Sequence, residues 1–213
     1  QTSVSKDRSL TTCHYDFLSR SSETRSWFGD GPYDYTASVE VLDLLNRVIE
    51  KRAEQASENG RVVLYREHTE YDALGNRIAT TTYPQNKPAR STTVYDSFSR
   101  PIKSTDGMGN STFIHYNTQF VNSRQQTVLR KTVTDAMGNL TVLTHDTSGR
   151  VETVIKKAPT GTVVLDHTFR YDCRGNRTRL VENIIGHNSY ERICTWTYGP
   201  MNRLERSDEA VCA

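Results

Sequence analysis

Tyr71-Asp72-Ala73-Leu74-Gly75-Asn76-Arg77-Ile78 decides how the chain is read. Aspartate suits the first position of a type I turn, where its carboxylate accepts backbone N–H groups. Gly75, three residues later, can take the positive φ that a side chain resists. Tyr71 and Ile78 favour extended backbone, so one strand ends at Tyr71 and the next begins near Arg77. The stretch therefore predicts the tip of a β-hairpin.

Imperfect copies recur. The pattern Asp-x-x-Gly/Ser/Asn-Asn/Arg appears at Asp16, Asp43, Asp72, Asp96, Asp106, Asp135, Asp146 and Asp172, with a degenerate copy at Gly199. Where the third residue on is glycine it is Gly75, Gly109, Gly138, Gly149 or Gly175, and tyrosines precede four of the aspartates as Tyr15, Tyr71, Tyr95 and Tyr171. Successive copies stand 27, 29, 24, 10, 29, 11, 26 and 27 residues apart. Ten residues fit one strand and its turn, and about twenty-six fit two or three strands with theirs. A period of this kind means an array of small units, none of which buries an apolar face alone.

The set YDALGNR, VYDSFSR, TDAMGNLT, HDTSGR and FRYDCRGNR resembles the YD repeat, also called the Rhs repeat, over about residues 15–204. That family includes bacterial Rhs toxins, wall-associated proteins, the B and C components of insecticidal Tc toxins, and teneurins. The resemblance implies an all-β fold in which repeated hairpins make a curved antiparallel sheet, an arc of a hollow shell. In the toxin members such a shell encloses a C-terminal toxic domain. The implied partners are the rest of the same shell, an enclosed toxin or effector polypeptide, and a secretion or delivery partner. The implied location is secreted or at the cell surface. Some relatives cut themselves through an aspartate motif that includes DPxG, which this sequence lacks.

Composition agrees with a wet sheet. Only 35% of the 213 residues are hydrophobic, and the mean hydropathy is −0.67, which suits strands with at least one solvated face. The formal net charge of +2 is too balanced to point to nucleic acid or to a membrane surface. No run of residues approaches the length of a membrane span. The chain starts without Met or a leader, so it reads as one segment, 1–213, of a larger protein, with residues 1–37 an irregular lead-in holding a degenerate repeat and 38–213 the repeats.

Local readings follow the same logic. Residues 38–57 offer a helical spacing at Val41, Leu44, Leu45, Val48 and Ile49, yet Asp43 stands in phase with Asp16 and Asp72, so a turn between strands is preferred. Residues 54–60 then read as a polar loop, and the glycines and Pro32 of residues 27–33 as a loop anchored by its aromatics. Pro84 and Pro88 bracket another loop, Pro159 to Gly161 is a turn, residues 118–124 form an altered loop, and residues 207–213 are frayed.

No residues are expected to catalyse a reaction or to bind a metal or cofactor. His14, His68, His115, His145, His167 and His187 show no ligand spacing, and His145 occupies the tyrosine position of its copy. The aspartates have a sufficient structural role at the turns. Cys13, Cys173, Cys194 and Cys212 allow three disulfide pairings or none, and isolated thiols on strands are the preferred reading. Sequons at Asn110, Asn139 and Asn176 arise whenever a Gly-Asn turn precedes a Thr-rich strand. The arginines Arg20, Arg47, Arg77, Arg100, Arg150, Arg177 and Arg203 at turn exits are expected to pair with carboxylates of neighbouring repeats. The function expected from these residues is a non-catalytic wall. The alternative is a cell-surface adhesion or glycan-binding module using Trp27, Phe28 and Trp196, and a hydrolase embedded in the scaffold is a third.

Overall fold

The computed structural model describes residues 2–4, 10–29, 31–84, 87–185 and 189–212, and these form strands and turns with no α-helix. The all-β antiparallel fold expected from the repeats is what the chain adopts. Two compact units are present, Gln1–Asn110 and Ser111–Ala213.

The first unit contains β1 (Thr2–Val4), β2 (Leu10–Asp16), β3 (Ser21–Trp27), β4 (Tyr35–Leu42), β5 (Val48–Ser57), β6 (Gly60–Tyr71), β7 (Arg77–Thr82), β8 (Ala89–Tyr95) and β9 (Pro101–Thr105). Each strand pairs antiparallel with the next. The second unit contains β10 (Ser111–Val121), β11 (Thr127–Thr134), β12 (Leu140–His145), β13 (Val151–Lys157), β14 (Val163–Tyr171), β15 (Arg177–Ile184), β16 (Tyr190–Tyr198) and β17 (Leu204–Cys212), again paired in chain order. A 3-10 turn at Pro200–Asn202 joins β16 to β17.

In such a meander every second turn lies at the same end of the strands. The turns led by Asp16, Asp43, Asp72 and Asp96 therefore share one edge of the first unit, and Asp106 lies at the opposite edge. In the second unit the turns led by Asp146, Asp172 and Gly199 share one edge, and Asp135 lies at the other. The long sequence steps are round trips over two strands. The short ones, Asp96 to Asp106 and Asp135 to Asp146, are single crossings.

Little is deeply buried. Among the described residues the buried apolar set is Tyr35, Ala37, Val39, Ala56, Ala79, Val128, Val142 and Cys194, with no large side chain below 2% accessibility. Trp27 packs on the Tyr35, Ala37 and Ala56 cluster, its ring centroid 4.6 Å from that of Tyr35. With so thin a core, the ladder bonds and cross-strand pairs must carry much of the stability.

Several expectations need correcting. Much of the supposed lead-in is ordered, because Leu10–Asp16, Ser21–Trp27 and the start of Tyr35–Leu42 are strands, held by continuous ladders rather than by apolar content. Residues 38–57 do form two strands around the Asp43 turn. The polar loop expected at 54–60 is instead strand up to Ser57 and a tight turn at Glu58 and Asn59, since the alternating polar residues find partners on β6. Residues 118–121 belong to β10, with a bulge where the Asn117 side chain accepts the Gln119 N–H at 2.9 Å. The expected fraying at 207–213 is overturned as far as Cys212, because β17 is bonded to β16 along its length. Ala213 lies outside the described residues. Of the aromatics expected to anchor the loop after Trp27, Trp27 is packed while Phe28 and Tyr33 stay exposed, and Asp34 holds the loop by accepting the Gly31 N–H at 2.8 Å and the Phe28 N–H at 2.9 Å.

Candidate functional site

The turn at Asp72 shows why the motif has its spelling. The Asp72 carbonyl accepts the Gly75 N–H at 3.1 Å and its N–H donates to the Asn76 carbonyl at 3.0 Å. Oδ1 of Asp72 accepts the N–H groups of Leu74 at 2.9 Å and Asn76 at 2.8 Å, while Oδ2 accepts Asn76 Nδ2 at 2.9 Å. Gly75 sits at φ 89°, completing a type I turn with its following bulge, and the register slips between Glu70 and Tyr71.

The aspartates Asp106, Asp135 and Asp172 repeat this arrangement with Asn110, Asn139 and Asn176. In the turns of Asp43, Asp96 and Asp146 an arginine replaces the asparagine, and Nε of Arg47, Arg100 and Arg150 reaches Oδ2 at 2.7, 2.8 and 2.8 Å. Their arginines therefore close their own turns, which corrects the expected pairing with carboxylates of neighbouring repeats. A separation of four residues, folded back by the turn, holds each arginine beside its own aspartate.

These contacts hold the carboxyls below their ordinary pKa. In Asp72, Asp106, Asp135 and Asp172 the asparagine side-chain hydrogen bond is the largest cause, in Asp43 the Arg47 N–H, and in Asp16 the Ser19 hydroxyl. At Asp96 and Asp146 partial burial pushes upward most, and the arginine and backbone donors together outweigh it.

What the sequence did not disclose is a second set of bonds linking each turn to the next on its edge. The hydroxyl of Tyr71 donates to the Val48 carbonyl at 3.0 Å, that of Tyr95 to Arg77 at 3.1 Å, and that of Tyr171 to Val151 at 2.7 Å. In each case the acceptor is the first residue after the preceding turn on that edge. His145, in the tyrosine position, places Nδ1 3.1 Å from the Leu129 carbonyl. The Arg47 guanidinium lies over the Tyr71 ring at 4.7 Å, as does that of Arg150 over Tyr171. Nη1 of these arginines donates to the carbonyls of Asp72 at 3.2 Å and Asp172 at 3.0 Å. Further links run from Arg20 to Asn46 at 2.6 Å, from Asn76 to Ser99 at 3.1 Å, and from Asn176 to Asn202 at 3.1 Å.

A turn was also missed. Asn122 takes the place of aspartate, its Oδ1 accepting the N–H groups of Arg124 at 2.9 Å and Gln126 at 3.0 Å, with Gln125 at φ 59°. Ala158 and Gly199 keep only the backbone bonds, to Thr162 and Arg203 respectively. The signal that could have located Asn122 is the preceding Phe120-Val121 pair, since asparagine accepts the same backbone bonds as aspartate.

The predicted turn residues are thus strung along edges, one per hairpin, rather than brought together round a cavity. At a strand spacing of about 4.8 Å, neighbours on one edge lie about 10 Å apart. Among the described residues no three of His, Cys, Asp and Glu are grouped to hold a metal ion.

No family description matches the sequence, and no curated protein is similar to it. Solved structures do show a distant likeness. The crystal structure of TcdB2-TccC3-Cdc42 matches at 12% identity and a TM-score of 0.30, covering 96% of this chain and 17% of that one. The Photorhabdus luminescens Tc holotoxin pore with a TccC3 mutation matches at 10% identity and 0.30, covering 99% and 15%. TcdB2-TccC3 matches at 11% and 0.22, covering 98% and 18%. The chain therefore spans less than a fifth of these relatives, and at such scores the likeness bears no weight for function.

The other candidate residues are accounted for locally. His167 Nε2 lies 2.8 Å from the Glu182 carboxylate directly across the ladder, and His187 lies outside the described residues. All four cysteines are free thiols, with Cys194 buried and Cys13, Cys173 and Cys212 exposed. The side-chain nitrogens of Asn110, Asn139 and Asn176, which a glycan would occupy, are engaged with their own aspartates at 2.9, 2.8 and 2.9 Å.

Proposed function

We propose that the chain is a structural segment of a YD-repeat wall, which with the rest of its shell encloses a toxin or effector polypeptide and performs no chemistry itself. The observation that carries this reading is the latch from Arg47 to Tyr71 and Asp72, repeated from Arg150 to Tyr171 and Asp172. The side chains that define the repeat are spent on fastening one hairpin to the next. Such a device suits a strip whose job is to keep its continuity. The YD-like spelling of the repeats favours a container, and it brings with it secretion or display at a cell surface.

Of the three aromatics the glycan-binding alternative relies on, Trp27 is partly buried against Tyr35, 4.6 Å between ring centroids, which takes up part of the surface a sugar would stack on, while Phe28 stays exposed. The wall reading is tested on the full-length gene product by limited proteolysis. A polypeptide encoded beyond the repeats is expected to survive digestion, and to become sensitive when Asp43, Asp72 and Asp96 are replaced together by alanine. Digestion of that polypeptide at the same rate with and without intact repeats would refute the proposal.

A further inference from the structure

One face of the second unit carries a polar hollow near the turn led by Asn122. The ladders set Thr144 opposite Thr153 and Thr153 opposite Thr168, so three threonines stand in a row across β12, β13 and β14 on the same face. Among the described residues none of the three hydroxyls has a hydrogen-bond partner. Phe120 and Arg124, from β10 and its turn, and Glu152 and Arg170, from β13 and β14, line the hollow with them around a volume of about 320 Å³. Pockets that hold small ligands start at about 300 Å³, so there is room for one compact polar molecule.

The charge of the hollow is set by a break in the ladder. Thr144 faces Thr153 but His145 faces Val151, which leaves Glu152 as the extra residue of a bulge, and a bulge re-aims the side chain it carries. Oε1 of Glu152 accepts from Arg124 Nη2 and from Arg170 Nη1, the latter at 2.7 Å. One carboxylate thus serves two guanidinium groups, whose side chains are 48% and 50% exposed, and among the described residues neither has another acidic partner. Arg179 stands opposite Arg170, and Arg130 stands opposite Thr144 with its guanidinium 4.8 Å from the Phe120 ring centre. Two other carboxylates of these strands and turns are engaged elsewhere, Asp146 with Arg150 at 2.7 Å and Asp166 with Asn183 at 3.4 Å. The hollow is therefore positive on balance, with a floor of hydroxyls.

We propose that this hollow binds an acidic sugar, a carboxylate or phosphate carried on a hydroxylated ring. A guanidinium fork matches the two oxygens of such an anion, and each fork has donors left over after its bond to Glu152. Glu152 holds both forks in place, so little side-chain freedom is lost when the anion arrives. The threonine hydroxyls can each donate and accept, which is what ring hydroxyls require, and Phe120 offers the C–H groups of the ring an apolar contact. A bare anion would leave the threonines unanswered, and a neutral sugar would leave the surplus positive charge unanswered. The site needs only the strands of the second unit and does not depend on the chain enclosing a cargo.

Titrating the intact, isotope-labelled chain with glucuronate and with glucose 6-phosphate, followed by the NMR shifts of its backbone amides, tests the site. Saturable shifts centred on Thr144, Thr153, Thr168 and Arg170 are expected with at least one of the two, and the tighter ligand names the anionic group. Glucose, which lacks the anion, and acetate, which lacks the hydroxyls, should each bind about tenfold more weakly or worse. Arg170→Gln is expected to weaken the acidic sugar about tenfold, and Thr153→Val, which keeps shape and strand preference, to weaken it without changing the response to acetate. Unchanged amide shifts in β16 and β17 check the fold of each variant, and Arg124→Gln takes the place of Arg170→Gln should that one fail the check. Pocket amides that do not move, shifts that glucose or acetate reproduces at equal concentration, or an affinity that the arginine variant retains overturns the proposal.

Discussion

Arg47 and Tyr71 are joined in two directions. The guanidinium carbon stands 4.7 Å from the centre of the tyrosine ring, and the tyrosine hydroxyl reaches back 3.0 Å to the carbonyl of Val48, the neighbour of Arg47. The same relationship holds between Arg150 and Tyr171, whose hydroxyl bonds Val151 at 2.7 Å. The arginine that closes one turn thereby grips the start of the next.

Removing the Tyr71 hydroxyl separates the two halves of that grip. Tyr71→Phe keeps the ring under Arg47 but leaves the Val48 carbonyl without its donor, and is expected to cost about 0.5–1.5 kcal/mol. Tyr71→Leu removes the cation–π contact as well and should cost about 0.5–1 kcal/mol more. Urea unfolding of the two variants measures both steps, and equal midpoints for Phe and Leu would show that the stacking contributes nothing.

The turn aspartates should tolerate asparagine better than alanine. Asp72→Ala strands the N–H groups of Leu74 and Asn76, whereas Asp72→Asn can accept them as Asn122 does for Arg124 and Gln126. Hydrogen exchange at the Leu74 and Asn76 amides is expected to quicken markedly in the alanine variant and only slightly in the asparagine variant.

Acid should loosen the turns together. Each aspartate from Asp16 to Asp172 in the series has its folded pKa below its ordinary value, as do Glu23 and Glu70. A carboxyl whose folded pKa is depressed stabilises the fold above its unfolded pKa, near 3.9 for aspartate, and loses that contribution as the pH falls through the folded value. Stability is therefore expected to be flat from about pH 5 to 8 and to fall below about pH 4. The Asn122 turn has no carboxyl to protonate. Its Arg124 and Gln126 amides should keep their protection factors at an acidity where those of Leu74 and Asn76 have dropped.

Glycine at the fourth turn position answers a backbone need. Gly75 has φ 89°, and an added Cβ would meet only Arg47 Nη1 at 3.9 Å, an ordinary contact. Gly75→Ala is thus expected to cost about 1–2 kcal/mol through conformation alone. The converse change, Gln125→Gly at φ 59°, should be neutral or stabilising by up to about 1 kcal/mol. Thermal melting of both variants reads the opposite signs.

The amino-acid sequence by itself determined the strands and the aspartate turns, because a turn's carboxylate, its two N–H donors and the glycine at positive φ all lie within five residues of one another. For the same reason the stretch around Asp43 could be recognised as a turn despite its helical spacing. The tertiary structure alone decided which turns share an edge, that Arg47, Arg100 and Arg150 serve their own aspartates, and that Tyr71, Tyr95 and Tyr171 reach back to the preceding hairpin. Those links join residues 18 to 23 positions apart for the tyrosine bonds, and only pairing of the intervening strands brings them within reach.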